Sequence, residues 1–204
     1  MTVYTVKSGD TLYNIARRFG VSPQSIIDNN LLADPSALVV GQTLVILQPE
    51  QIYTVRAGDT LYSIAAALGV SINQLWRNNI VLGGGTDIRP GQLLTVRLPA
   101  PTKGKMSVNG YAYPFIDRTT LMRALPYLTY LTIFTYGLRP DGSLIDIEDE
   151  PLINMARAYG VAPVMHLSTL TEQGRFSNAL ARQILNDATL RARVIDNVKR
   201  VLQS

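Results

Sequence analysis

The sequence predicts an α+β chain: two small strand–helix–helix–strand modules, then a segment in which strands and helices alternate. Three observations carry this. The pentapeptide Gly9-Asp10-Thr11-Leu12-Tyr13 returns 49 positions later as Gly58-Asp59-Thr60-Leu61-Tyr62, and a fixed period of this size marks a small module written twice. Within each copy the apolar residues alternate over a short run and then adopt helical spacing. Beyond residue 98 the repeat stops, and three β-rich runs are each followed by an amphipathic stretch, the pattern of parallel βαβ units.

In the first copy, residues 2–6 alternate and read as a strand, and Lys7-Ser8-Gly9-Asp10 as a turn. Asp10 is placed to cap a helix over 11–19, where Leu12, Ile15, Ala16 and Phe19 form one apolar stripe and Gly20 ends it. Ser22 and Pro23 open a second helix that Asn29-Asn30 closes, with Ile26 and Ile27 facing inward. A turn at Gly41-Gln42 leads into a closing strand through Ile46. The second copy repeats this order: strand 53–55, helices 60–68 and 72–78, strand 93–98. Its Gly83-Gly84-Gly85 run reads as a more mobile loop. The expected boundaries are 1–48, 51–98, a linker at 99–105, and 106–204.

In the last segment, strands are expected at 106–111, 130–136 and 161–167. Helices are expected at 119–125, with Thr119-Thr120 as its cap, and at 151–159, 178–186 and 189–202. The acidic run Asp146-Ile147-Glu148-Asp149-Glu150 precedes Pro151, where carboxylates favour a helix N-terminus. Three βα units do not close a barrel, which takes roughly 250 residues. An open parallel sheet exposes apolar edges, so this segment is expected to be less stable than the modules.

Composition narrows the function classes. There is no cysteine, which excludes disulfides, thiolate catalysis and cysteine zinc sites. One histidine, His166, leaves no partner for a histidine metal site, and no metal or cofactor is expected. Net charge is +4; Arg191, Arg193, Lys199 and Arg200 read as a solvated helix face, and no nucleic-acid footprint is seen. No apolar run approaches a membrane span, and no apolar signal segment follows Met1. The chain is expected to be made in the cytoplasm without export by the usual route.

The string Tyr4-Thr5-Val6-Lys7, Gly9-Asp10-Thr11-Leu12-Tyr13, Ile15-Ala16, Gly20-Val21-Ser22, Asn29-Asn30 and Gly41-Gln42, matched in the second copy, resembles the lysin motif (LysM) module. The resemblance implies a βααβ fold that binds N-acetylglucosamine-containing glycans, peptidoglycan or chitin, between the first strand–helix loop and the second helix–strand loop. Carried over residue by residue, it implies a groove at Gly9, Asp10, Thr11, Leu12, Asn30, Leu31 and Leu32. In the second module it implies Gly58, Asp59, Thr60, Leu61, Asn79, Ile80 and Val81. Asp10 and Asp59 have a structural role open to them as helix caps, and Leu12 and Leu61 as core. Trp76 either stacks on sugar or fills the core; its counterpart Ile27 is an interior position.

Val108-Asn109-Gly110-Tyr111-Ala112-Tyr113-Pro114 and Leu131–Tyr136 followed by Asp141-Gly142 resemble the first barrel strands of family 18 glycoside hydrolases. The segment then equals the first three βα units of a TIM barrel. With two LysM modules in front, the order resembles the spore cortex-lytic and germination N-acetylglucosaminidases of endospore-forming bacteria. That resemblance implies spore cortex, coat or cell-wall association, with Tyr111, Tyr113 and His166 as a possible sugar subsite; packing is the alternative for each. The family's Asp-x-x-Asp-x-Asp-x-Glu catalytic signature occurs nowhere in these 204 residues. No catalytic residue is therefore assigned, and glycan binding without hydrolysis is expected. The alternatives are a non-catalytic scaffold of the spore envelope, or two half-barrels that pair.

Overall fold

The computed structural model describes residues 1–99, 104 and 106–203, so positions 100–103 and 105 of the expected linker lie outside the described residues. The chain forms two compact units, Met1–Met106 with Met122–Tyr127, and Ser107–Leu121 with Leu128–Ser204.

The first unit holds both modules. In the first, β1 (Thr2–Thr5), α1 (Leu12–Phe19), α2 (Pro23–Asn30) and β2 (Thr43–Ile46) follow in order. β1 and β2 pair antiparallel with Tyr4 opposite Leu44. The helical stripe and the inward strand positions meet in one core of Tyr4, Val6, Ile15, Ala16, Ile26, Leu44 and Ile46. Of the two residues expected to face inward, Ile26 is buried and Ile27 half-buried. Gly20 ends α1 in the left-handed region at φ 67°, where a side chain is strained and glycine is not. Ser22 caps α2, with Pro23 in its first turn, as the residue order requires.

The second module repeats the plan with β3 (Gln51–Thr54), α3 (Leu61–Leu68), α4 (Ile72–Asn78) and β4 (Leu93–Arg97). β3 and β4 pair antiparallel around an irregularity at Gln51/Ile52. Its buried residues include Leu61, Ile64, Leu75, Trp76, Leu94 and Val96. Trp76 is 4% exposed, and its indole N–H donates to the Gly85 carbonyl at 2.8 Å. This decides between its two readings: the ring is core. The glycine run, expected to be mobile, is instead held by that bond, with Gly84 buried and Gly83 closing a 3-10 turn over Ile80–Leu82. α2 of the first module lies against this turn, so the modules are neighbours within one unit.

The second unit is built on β5 (Asn109–Ala112), β6 (Tyr130–Leu138) and β8 (Ala162–Leu167), with β7 (Leu144–Ile145) between the last two in sequence. β5 and β8 flank β6, both parallel to it. The crossovers run through α5 (Arg118–Ala124) and α6 (Glu150–Ala158), the connection parallel strands need. β7 adds a short antiparallel pair at the end of β6 that the sequence pattern did not show. α7 (Asn178–Asn186) and α8 (Ala188–Gln203) follow. Leu180, Ile184 and Val194 pack with Tyr136, Leu138 and Leu144. α5 starts one residue before the expected Thr119-Thr120 cap; the Asp117 carboxylate accepts from the Thr119 N–H instead. α6 opens at Glu150, the acidic run preceding it as expected, while Asp149 accepts from the buried Tyr136 hydroxyl at 2.9 Å.

Candidate functional site

The two first strand–helix loops have one geometry. Gly9 and Gly58 sit at φ 83° and 86°, left-handed conformations that glycine adopts freely. Asp10 Oδ2 accepts from the Tyr4 hydroxyl at 2.7 Å and the Lys7 N–H at 2.8 Å. Asp59 Oδ2 accepts from the Tyr53 hydroxyl at 2.8 Å and the Arg56 N–H at 2.7 Å. These carboxylates tie strand to loop and do not cap the helices. The caps are Thr11 and Thr60, both at φ −123°, ψ 155°, whose hydroxyls accept from the Asn14 and Ser63 N–H groups. The physical reason is competition: the aspartate's oxygen is claimed by donors behind it, leaving the next hydroxyl to serve the orphan N–H.

The bonds also set the charge states. The Tyr4 hydroxyl, and then the Lys7 N–H, hold the Asp10 carboxyl below the usual range; the Arg56 N–H, and then the Tyr53 hydroxyl, do the same for Asp59. The same contacts with the aspartates push the Tyr4 and Tyr53 phenols upward. A depressed carboxylate contributes stability that is present above its unfolded value, about 4, and is lost as pH falls through the folded one. A raised phenol contributes stability that is complete below about 10 and is lost as pH rises through the folded value. Module stability should therefore be flat between these limits and fall on both sides. Trp76, the only tryptophan, reports the second module in thermal melts across pH. Asp59→Asn should lower the plateau and flatten the acid limb; an unchanged acid limb would contradict the assignment.

The second loop of each candidate groove is anchored by an asparagine. Asn30 Oδ1 accepts from the Val45 N–H at 2.7 Å, and its Nδ2 donates to the Ile26 and Val45 carbonyls at 2.8 and 2.9 Å. Asn79 makes the same set with Thr95, at 2.8 and 2.9 Å, and with the Leu75 carbonyl at 2.8 Å. Each carboxamide thus stands in for a neighbouring strand along an edge that a two-stranded sheet leaves open. Both amides are occupied internally, so these side chains anchor the loop. Leu12 and Leu32 pack on the first core, which places both groove loops on one hydrophobic cluster, and Leu61 is fully buried. The exposed members are Gly9, Thr11, Leu31, Gly58, Thr60 and Val81, of which the two glycines carry no side chain. Leu31 is 57% exposed and holds φ 49°, a left-handed conformation that costs a non-glycine residue about 1–2 kcal/mol. In the second module the 3-10 turn takes its place.

In the second unit, the C-terminal ends of the parallel strands gather aromatic rings. Phe134 on β6 stacks on His166 of β8 at 4.0 Å between centroids. Tyr111 and Tyr113 meet Phe134 edge-on at 5.8 and 5.6 Å, and Tyr113 stacks on Phe115 at 5.1 Å. Thr135 shares a 2.7 Å hydrogen bond with His166 Nδ1, and its hydroxyl lies 3.0 Å from that of Ser168. The β6–β8 register shifts between Ile133 and Tyr136, beside the Phe134–His166 pair. The structure therefore brings Tyr111, Tyr113 and His166 together and adds Phe134 and Phe115. Their signal in the sequence was the position of aromatics at and just past strand ends. Tyr111 and Tyr113 keep more than half their surface exposed.

Among the described residues no group of three or more His, Cys, Asp or Glu is placed to hold a metal, and no helix is long and apolar enough to cross a membrane.

The LysM domain model matches residues 4–47 and 53–97. A cortical fragment-lytic enzyme of Bacillus subtilis is 39% identical over 204 residues, covering 97% of this chain and 46% of that protein. Its Bacillus anthracis counterpart is 36% identical over 203 residues, covering 96% and 46%. The crystal structure of the Bacillus cereus spore cortex-lytic enzyme SleL superposes with a TM-score of 0.66 at 30% identity, over 99% of this chain and 48% of that one. The chain spans about half the length of these relatives.

Proposed function

Because two LysM domains stand in this chain, and nearly all of it aligns with spore cortex-lytic relatives, we propose that it grips peptidoglycan through one groove per module. The observation that carries this is the duplicated loop geometry: Gly9 and Gly58, the two aspartate ties and the two threonine caps agree in bonds and angles. A neutral sugar needs fixed backbone donors and acceptors and a small apolar floor for its acetamido methyl. The loops supply the first; Leu31 and Val81 supply the second. Gly9, Asp10, Thr11, Leu12, Asn30 and Leu32, and Gly58, Asp59, Thr60, Leu61, Asn79 and Ile80, frame the two grooves, largely through backbone. Neighbouring grooves on one polymer gain avidity beyond either alone.

The rest of the chain is read as the N-terminal part of a family 18-like barrel. Its strand order, β5 beside β6 beside β8 in parallel, is what the first three units of such a barrel require. Tyr111, Tyr113, Phe134 and His166, at the strand ends where α/β proteins take ligands, form the floor of a sugar subsite. The catalytic signature is missing from these residues, so the 204-residue chain binds without cleaving.

Calorimetric titration of the chain with an N-acetylglucosamine hexamer tests the grooves. Leu31→Gly with Val81→Ala removes both apolar floors, and the glycine also relieves the left-handed strain at position 31. The expected result is an affinity about tenfold lower, which is about 1.4 kcal/mol, with the melting temperature of the first module held or raised. Unchanged affinity would sink this placement of the groove.

A further inference from the structure

The turn between β6 and β7 is seated on α8. Gly142 is buried at its tip. The Arg193 guanidinium donates to the Asp141 carbonyl and the Asn197 amide to the Gly142 carbonyl, both at 2.9 Å. Beside this seam lies a cavity of about 340 Å³ lined by Ser143, Leu144, Asp146, Asn197, Arg200 and Val201. Asn197, Arg200 and Val201 stand at i, i+3 and i+4 on α8 and share one face. The polar groups of this lining are uncommitted, whereas their neighbours are engaged. Arg191 donates to the Leu185 carbonyl, and Lys199 pairs with Asp196 at 3.8 Å. Arg139, whose field reaches Asp146, is bound to Glu172 and to the Leu144 carbonyl. Arg200 and Asp146 have neither an ion pair nor a hydrogen bond among the described residues. Asn197 spends its Nδ2 on Gly142 and keeps Oδ1 to accept. The Ser143 hydroxyl donates to Asp141 Oδ1 at 2.7 Å, and its oxygen can still accept.

We propose that this cavity takes the zwitterionic head group of an α-amino acid. Arg200 receives the carboxylate, which a guanidinium fork fits in geometry and charge. Asp146, Asn197 Oδ1 and Ser143 Oγ receive the ammonium, whose three donors match three acceptors. Leu144 and Val201 are the apolar floor beneath the α-carbon. One charge of each sign in one small cavity argues against other ligands. A phosphate meets the Asp146 carboxylate, and a divalent cation, which needs about six oxygens, meets Arg200. A neutral sugar leaves both charges unpaired. The volume lies at the lower end of small-molecule sites, about 300–1,000 Å³. Both charged side chains are exposed, so water screens them and the affinity is on the order of millimolar. The inference is independent of the glycan grooves. Peptidoglycan carries short peptides on its glycan, some ending in a free amino-acid head group, so a chain with both sites holds two parts of one polymer.

Nitrogen–proton NMR of the intact chain tests this through the amide signals of Ser143, Leu144 and Asn197. The probes are glycine, N-acetylglycine, which lacks the ammonium, and glycinamide, which lacks the carboxylate. Glycine should shift these signals and saturate, and each capped probe should bind about tenfold more weakly or worse. Arg200→Gln and Asp146→Asn should each weaken glycine about tenfold, and Arg191→Gln should not. All three side chains are exposed, so an unchanged melting temperature shows that the variants fold. The tripeptide alanyl-γ-glutamyl-diaminopimelic acid, whose far end is an intact head group, identifies the source. Binding as tight as glycine or tighter assigns the cavity to a wall peptide, and binding of glycine alone assigns it to a free amino acid. N-acetylglycine equal to glycine would overturn the proposal in favour of a simple anion site. No saturable shift with any probe up to about 0.1 M, or full glycine binding in both variants, would also overturn it. A chain that answers to glycine but not to the N-acetylglucosamine hexamer would sink the grooves and keep this site.

Discussion

Asn79→Ala lowers the stability of the second module by about 3–5 kcal/mol, the largest effect expected of any single polar side chain in that module. Asn79 is 7% exposed, and its carboxamide serves both the N–H and the C=O of Thr95 as well as the Leu75 carbonyl. Alanine leaves two groups on a buried strand residue without partners, at about 1–3 kcal/mol each, and opens a small cavity. Asn30→Ala breaks the same three bonds in the first module, but Asn30 is only half-buried. Water can replace part of what is lost, so about 1–3 kcal/mol is expected there. Urea unfolding followed by Trp76 fluorescence separates the two, because the probe sits in the second module. Asn79→Ala should move the midpoint sharply, and Asn30→Ala should leave the Trp76 transition nearly in place. Equal shifts would mean that the modules unfold as one. Both asparagines frame candidate grooves, so lost glycan binding in either variant has to be read against its stability before a sugar contact is credited.

Gly137→Ala is the corresponding experiment in the second unit, with an expected cost of about 3 kcal/mol. Gly137 lies inside β6, where a strand has no intrinsic need for glycine. A Cβ there would stand 2.4 Å from the Leu170 carbonyl oxygen and 3.0 Å from Ile145 Cδ1. The close approach has a cause: Leu170 leans over the strand to accept the Leu138 N–H at 3.0 Å. The substitution forces the segment after β8 to move and breaks that bond. Amide exchange should show Leu138 losing protection while Leu131 and Ile133, farther along β6, keep most of theirs. A variant with unchanged exchange at Leu138 would mean that the segment shifts without strain.

Much of the molecule was legible before any coordinate. The repeat placed both modules, the stripe Leu12, Ile15, Ala16, Phe19 placed α1 and its buried face, and Ser22-Pro23 placed the start of α2. The alternation after residue 98 pointed to three parallel strands, and the structure set β6 between the other two. These features depend on neighbours within one turn or one pleat, so local spacing encodes them. What lay hidden involves partners far apart in the chain. Asp10 and Thr11 both qualify as helix caps by residue type; only the folded loop, which brings the Tyr4 hydroxyl and the Lys7 N–H to one aspartate oxygen, assigns the cap to Thr11. Asn30 looks like a loop residue free to meet sugar until Val45 arrives to occupy its carboxamide. β7 is two residues long, below any periodic signal.

The sequence by itself therefore determined that this chain carries two copies of one module ahead of an α/β segment, because repetition and periodicity are properties of order along the chain. Tertiary structure decided which side chains of each candidate groove stay exposed. It engaged Asp10, Asn30 and their counterparts internally, and left Leu31 and Val81 facing water. It also drew Phe134 and His166 together from two separate strands. The physical reason is that a donor, an acceptor or a ring is committed only when a partner arrives within a few ångströms, and those distances are set by packing.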